Sequence, residues 1–304
     1  MIPAFVAQAV RGFLMGAADV VPGVSGGTVA LVLGIYRRLI DSIREGAAAL
    51  GAATRGDLAG AWSRVKSVDL AFLAPLLAGI LVAVATLASV IEKQLESNAE
   101  EMAGLFLGLV GASVVVAWRL MRRRTRGHLI TTASVGLVVF LVLGLQSGPV
   151  AEPAPLAFLG AGALAICAMI LPGISGSFIL LMIGMYASVL GAVEDRALAD
   201  LGLTALGAVL GLAVFSTLLG RLLERAFDRM MAVLVGLMAG SLRVLWPWPN
   251  GVGVISDDRT RVVSGTGLDW PTGSDWLIPT LLAVLGAATI LAVSWWADHR
   301  GHTD

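Results

Sequence analysis

Apolar runs of helical length, separated by short clusters of charge, glycine and proline, set the pattern of this chain. Residues 3–20 and 25–40 are apolar segments of marginal spanning length, interrupted by Pro22, Gly23, Gly26 and Gly27, which predicts two short helices around a break. Residues 41–68 are charged and rich in Ala and Gly, and read as a loop. Full spans are expected at 69–91, 102–118 and 129–147. The order then recurs. Apolar runs at 155–171 and 175–192 are broken at Pro172-Gly173, and spans follow at 201–220, 230–246 and 276–297. The runs lack the ten-residue alternation of an outer-membrane barrel. The expected fold is an all-α integral membrane protein with two units, 1–150 and 151–304. Each unit is a broken hairpin, 3–40 or 155–192, followed by three transmembrane helices.

The recurrence extends to single residues. A shift of 150 positions lays Pro22, Gly23, Ser25, Gly26, Gly34 and Tyr36 on Pro172, Gly173, Ser175, Gly176, Gly184 and Tyr186. Outside the break, Phe106-Leu107-Gly108-Leu109 with Ser113 and Trp118 lines up with Leu234-Val235-Gly236-Leu237 with Ser241 and Trp246. Shared order and spacing mark two tandem copies of one unit.

Composition agrees with the pattern. Hydrophobic residues make up 57% of the chain and charged residues 14%, and the mean hydropathy is +0.87. The single cysteine, Cys167, excludes an internal disulfide and cannot alone build a metal site. No metal, cofactor or nucleic acid is expected, and the net charge of zero, which hides a strong sidedness, says nothing about nucleic acid by itself. The amino terminus is apolar from Ile2 with no basic residue before Arg11, which argues against a cleaved signal peptide and for a mature start at or near Met1.

Charge also orients the chain. Lys and Arg number six in 37–68, five in 119–128, three in 221–229 and one in the carboxyl tail. Segments between them carry one near 92–101, one across 148–200 and two in 247–275. Basic residues collect on the cytoplasmic side, so both termini are expected there. An odd number of crossings per unit then inverts the second relative to the first. Each broken segment is either a re-entrant hairpin or a pair of short complete spans.

Inverted repeats with discontinuous helices are common in transporters, whose breaks meet near the bilayer midplane and form the substrate site. Helices starting at Ser25 and Ser175 would aim free backbone N–H groups and positive dipole ends inward. Gly23, Gly26, Gly27, Gly173 and Gly176 would let a ligand approach, and Ser25, Thr28, Ser175 and Ser177 add hydroxyl donors. Two such cradles suit a phosphate; alternatively, each Pro-Gly-x-Ser-Gly only ends one helix and caps the next. Arg11 either meets an anionic head group or neutralises Asp19. Arg243 either binds the head group or snorkels to the external interface. Asp19 either titrates as an ion-coupling site or holds the loop by hydrogen bonds. Tyr36 and Tyr186 are expected to anchor half-helices at the interface, and Trp246, Trp248, Trp270, Trp276, Trp295 and Trp296 to form an interfacial belt. Gly108, Gly207, Gly211, Gly236 and Gly240 are expected at close helix contacts.

These residues resemble those of the bacterial polyprenyl-phosphate transporters, long known only as a membrane domain of unknown function. The resemblance covers nearly the whole chain. It rests on Gly16-Ala17-Ala18-Asp19-Val20-Val21-Pro22-Gly23-Val24-Ser25-Gly26-Gly27-Thr28 with Gly34-Ile35-Tyr36, and on Leu171-Pro172-Gly173-Ile174-Ser175-Gly176-Ser177 with Gly184 and Tyr186. It implies a flippase in the bacterial plasma membrane that returns undecaprenyl phosphate, or a similar polyprenyl phosphate, from outer to inner leaflet during cell-wall synthesis. Ser177 stands opposite Gly27 and Met169 opposite Asp19, so the copies are not equivalent. The expected mechanism is alternating access, with one unit rocking against the other, Arg11 supplying charge, the tail in surrounding lipid, and proton or sodium coupling at Asp19.

Two other classes stand beside this one. A polyprenyl diphosphate phosphatase would need a base near Ser25 or Ser175, yet His128, His299 and His302 all fall at cytoplasmic ends. A small-anion transporter or channel would use the same cradles without a lipid.

Overall fold

The computed structural model describes residues 4–21, 24–145, 153–248 and 268–300, and among these every regular element is a helix. The first half contains α1 (Ala4–Asp19), α2 (Gly26–Val32), α3 (Tyr36–Thr54), α4 (Leu58–Ser67), α5 (Leu70–Ser97), α6 (Ala99–Arg119) and α7 (Arg126–Val142). The second contains α8 (Pro155–Ile170), α9 (Gly176–Met182), α10 (Tyr186–Glu194), α11 (Leu198–Arg225), α12 (Phe227–Ser241) and α13 (Leu277–Arg300).

Four helices, α5, α6, α11 and α13, are long and apolar enough to cross a bilayer, and α9 with α10 make a fifth candidate bent by 114°. The chain is a multi-pass membrane protein. The spans expected at 129–147 and 230–246 are shorter as helices. α7 has 17 residues, with 146 and 147 outside the described residues, and α12 has 15 before a 3-10 turn over Leu242–Leu245. The expected loop at 41–68 is instead the rest of α3 followed by α4. Its low hydrophobicity hid two surface helices, separated where Gly56 adopts φ +80 and Asp57 caps α4 through Gly60 N at 2.8 Å.

Both half-helices end by the same device. Gly34 N donates to Leu31 O at 3.1 Å and Ile35 N to Ala30 O at 3.0 Å. Gly184 N likewise donates to Leu181 O, and Met185 N to Leu180 O, both at 2.9 Å. This is the Schellman pattern, and its left-handed residue is Gly34 at φ +70 and Gly184 at φ +73. Tyr36 and Tyr186 then open the next helices.

Glycine sets the helix packing. A Cβ on Gly12 would lie 1.9 Å from Leu76 O, and one on Gly79 2.0 Å from Ala9 O, so α1 and α5 touch backbone to backbone. Their counterparts Gly162 and Gly207 do the same between α8 and α11, at 2.0 Å from Thr204 O and 1.9 Å from Leu159 O. Gly108 on α6 meets Ala283 O of α13 at 1.9 Å, and its counterpart Gly236 on α12 meets Thr132 O of α7 at 2.8 Å. The expectation for Gly108, Gly207, Gly211, Gly236 and Gly240 holds, since a Cβ on any of them would fall under 3 Å from a neighbouring helix. Contacts advance together along both partners, Gly12 at Leu76 then Gly16 at Ile80, and Gly104 at Pro279 then Gly108 at Ala283. Each pair is therefore parallel.

Three of the basic segments meet at one end. Arg44 on α3 bonds Glu224 at the end of α11, and Asp228 on α12 accepts from the backbone N–H groups of Arg122 and Arg123 at 2.8 and 3.2 Å. The tryptophans sort to both ends of α13. Trp246 stacks edge-on with Trp248 and Trp270 near its start, and exposed Trp295 lies near its finish, while the side chain of Trp296 is outside the described residues.

Candidate functional site

The two breaks lie against each other. Ser25 is buried at the start of α2, and its hydroxyl sits 3.3 Å from Leu171 O and 3.4 Å from Met169 O, the carbonyls that close α8. One hydroxyl proton serves one of these acceptors at a time. A Cβ on Gly27 would lie 3.0 Å from Ile170 O, so glycine lets the second break approach the first turn of α2. Tyr36 closes the contact from below, its hydroxyl donating to Ile170 O at 3.1 Å.

That bond corrects the interfacial reading of Tyr36. The ring is 3% exposed and belongs to the central apolar cluster with Phe72, Leu76 and Met231. The polar tip is satisfied by a carbonyl that the break leaves open, so it needs no water. Tyr36→Phe leaves that carbonyl unpaired and is expected to cost about 1–3 kcal/mol. Thermal unfolding in detergent should show the loss, with a smaller effect for Tyr186→Phe on the half-buried counterpart.

The first cradle is occupied by the protein itself. Asp19 Oδ1 accepts from Gly26 N at 2.6 Å, Ser25 Oγ accepts from Gly27 N at 3.1 Å, and Ser25 O accepts from Thr28 N at 2.9 Å. The expected free N–H groups of α2 are thus bonded, and Asp19 holds the loop as a carboxylate on a helix amino terminus. Thr28 is different. It is 2% exposed, and its hydroxyl has no hydrogen-bond partner among the described residues. Pro22 and Gly23 lie outside the described residues.

The second break repeats this geometry with one exchange. A Cβ on Gly26 would lie 2.5 Å from Asp19 Oδ2, and one on Gly176 2.6 Å from Met169 Cγ. Met169 therefore packs where the first copy places its carboxylate. Ser175 makes no side-chain cap on α9, and its hydroxyl instead lies 2.8 Å from that of Ser177. Gly173 takes φ +88, and its missing Cβ would clash with Met238 Cα at 2.6 Å, so conformation and space both demand glycine.

Arg11 stands on α1 and Arg243 on the 3-10 turn after α12. Arg11 is half-buried on α1, and its Nη1 donates to Gln8 Oε1 at 3.2 Å. It forms no ion pair with Asp19 among the described residues, because eight residues of helix separate them by about 12 Å. Arg243 lies over Phe140 at 4.8 Å, and a Cβ on Gly144 would fall 2.4 Å from its guanidinium. α7 thus holds this side chain by stacking. The acceptor carbonyls of Met169, Ile170 and Leu171 could not be found from sequence, since the backbone carries no residue signature.

Residues 15–263 match the family model described as undecaprenyl phosphate translocase-like. A protein of Vibrio cholerae named polyprenyl-phosphate transporter is 38% identical over 298 residues, covering 95% of this chain and 96% of its own. A Staphylococcus aureus protein of the same name is 28% identical over 255 residues, covering 78% and 84%. No solved structure matches the chain. With a family model spanning both breaks and a relative aligned almost end to end, the chain belongs to the undecaprenyl phosphate translocase-like family.

Proposed function

We propose that this protein is a flippase that carries undecaprenyl phosphate, or a similar polyprenyl phosphate, across the bacterial plasma membrane from outer to inner leaflet, recycling the lipid carrier of cell-envelope synthesis. The observation that carries this reading is the direct meeting of the two breaks, Ser25 Oγ with the carbonyls of Met169 and Leu171. The relatives' names supply the substrate class. In this reading the phosphate sits between the breaks, bound by Ser25, Thr28, Ser175, Ser177 and the glycine-lined backbone, with Arg11 and Arg243 as the nearby cations. The tail remains in lipid, and both termini face the cytoplasm.

The parallel helix pairs support inverted units, because a helix can run beside α1 in the same direction only after the first hairpin has returned to its starting side. They also divide the molecule differently from two rocking halves. α6 pairs with α13 and α7 with α12, so these four helices join the units into one frame. The arms α1–α5 and α8–α11, each carrying a break, are the parts free to tilt against it. Transport rather than hydrolysis fits the serines. His128, in the first turn of α7, has its Nδ1 2.9 Å from Arg123 O, while Ser25 Oγ faces the carbonyls of Met169 and Leu171 and Ser175 Oγ faces Ser177 Oγ, so neither hydroxyl meets this imidazole.

The test is leaflet exchange of a labelled polyprenyl phosphate in vesicles carrying purified protein. Wild type should exchange, and Arg11→Ala and the Ser25→Ala/Ser175→Ala pair should each lose most of the rate. A charge-assisted hydrogen bond is worth about 1.5–3 kcal/mol, so roughly tenfold or more is expected. Transport of inorganic anions without lipid preference, or release of phosphate from a polyprenyl diphosphate, would overturn the reading.

A further inference from the structure

Away from both breaks, a cavity of about 720 Å3 opens between the surface helices α3 and α4 and the side of α11. Its walls combine Arg55, Arg64 and Arg221 with apolar Ala48, Val214 and Leu218. Asp57, also on the wall, turns its carboxylate to Gly60 N at 2.8 Å. Arg64 lies 3.8 Å from Glu45, while Arg55 and Arg221 form no ion pair among the described residues. The cavity is therefore cationic on balance, and two of its guanidinium groups have no ion-pair partner among the described residues.

The surroundings are those of a membrane surface. α4 exposes Leu58, Trp62 and Val65, which share one helical face, and Lys66 Nζ stands 5.7 Å from the Trp62 ring. Such a helix lies in the interface, with its aromatic ring at head-group depth. Val214 and Leu218 are 71% and 50% exposed on α11, continuing an apolar wall from the cavity along a spanning helix. Basic groups above two apolar walls match a phosphate above two acyl chains.

We propose that this cavity binds an anionic glycerophospholipid of the leaflet on the Lys/Arg-rich side. Its phosphodiester meets Arg55 and Arg221, and its chains lie along α4 and α11. The site is separate from the transported lipid's, since no residue of either break lines it. A resident lipid there wedges α3–α4 against α11 beside the Arg44–Glu224 bond.

The experiment uses delipidated full-length protein with phosphatidylglycerol or phosphatidylcholine, read by native mass spectrometry and thermal shift, beside Arg55→Gln/Arg221→Gln. Each basic residue near an anionic surface contributes about fivefold, so the double variant should hold phosphatidylglycerol roughly tenfold or more weakly. Wild type should prefer phosphatidylglycerol to phosphatidylcholine. Equal retention of phosphatidylglycerol by both proteins, or of both lipids by wild type, would overturn the proposal. So would protection by inorganic phosphate alone, which would mark a free-anion site, or displacement by a polyprenyl phosphate with loss of exchange in the variant. A variant that melts below wild type without lipid would be replaced by Arg221→Lys, which keeps the charge and should keep the preference.

Discussion

Gly108→Leu is expected to prevent stable folding. The Cβ alone would sit 1.9 Å from Ala283 O and 2.7 Å from Ala283 Cα, and these are backbone atoms that no rotamer change can move. α6 and α13 would have to separate along their length and lose the close contact that holds two helices together where lipid supplies no hydrophobic drive. Overpacking into flexible side chains costs about 1–3 kcal/mol, and this site lacks that relief. Gly111 on the same helix has nothing within 4 Å, so Gly111→Leu should fold normally and gain about 1 kcal/mol of helix propensity. Size exclusion and thermal unfolding in detergent compare them directly. Equal stability of the two variants would mean that the helices do not approach as described.

Asp19→Asn is expected to flatten the response of exchange to external pH. Gly26 N is bonded to the Asp19 carboxylate, Gly27 N to Ser25 Oγ and Thr28 N to Ser25 O, so these three backbone N–H groups in the first turn of α2 are all engaged. A phosphate reaching this turn must displace an anion already there. Protonation weakens Asp19 as an acceptor and releases Gly26 N–H, so wild-type exchange should rise as external pH falls. Asparagine keeps a neutral acceptor at every pH, so the variant should exchange about tenfold faster than wild type at neutral pH, for a charged bond of about 1.5–3 kcal/mol, and lose the Asp19 part of the slope. The substrate phosphate titrates near pH 6, and the variant's remaining slope measures that part alone. A variant with the full wild-type slope would exclude Asp19 as the coupling group.

The helix breaks and the close contacts were legible because both rest on glycine, whose missing side chain is itself the signal. Gly108 and Gly236 occur at matched positions in matched helices, whereas the stops at Gly34 and Gly184 fall inside the expected runs 25–40 and 175–192 and divide each of them into two helices. Asp19 as a hydrogen-bonding group was also legible, since a carboxylate beside a helix start has few other uses. Its partner Gly26 N was not, and neither were the carbonyls that face Ser25 and Tyr36. Tyr36 was misread because tyrosine in a membrane chain usually finds water at the interface, whereas here it finds Ile170 O in the core. α3 and α4 escaped because amphipathic surface helices resemble loops when apolar runs are the only guide. The exchange of pairs between halves leaves no local trace at all, because it is decided by contacts far apart in the chain.

That exchange has a consequence for synthesis. The glycine face of α6 is complete once Arg119 is made, but its partner α13 begins at Leu277. At about 5–20 residues per second, that face waits roughly 10–30 s for its match. Throughout this interval α6 presents a small-residue surface that its partner does not yet cover. The late helix α13 therefore decides whether the earlier ones keep their places, and membrane quality control has that window in which to act.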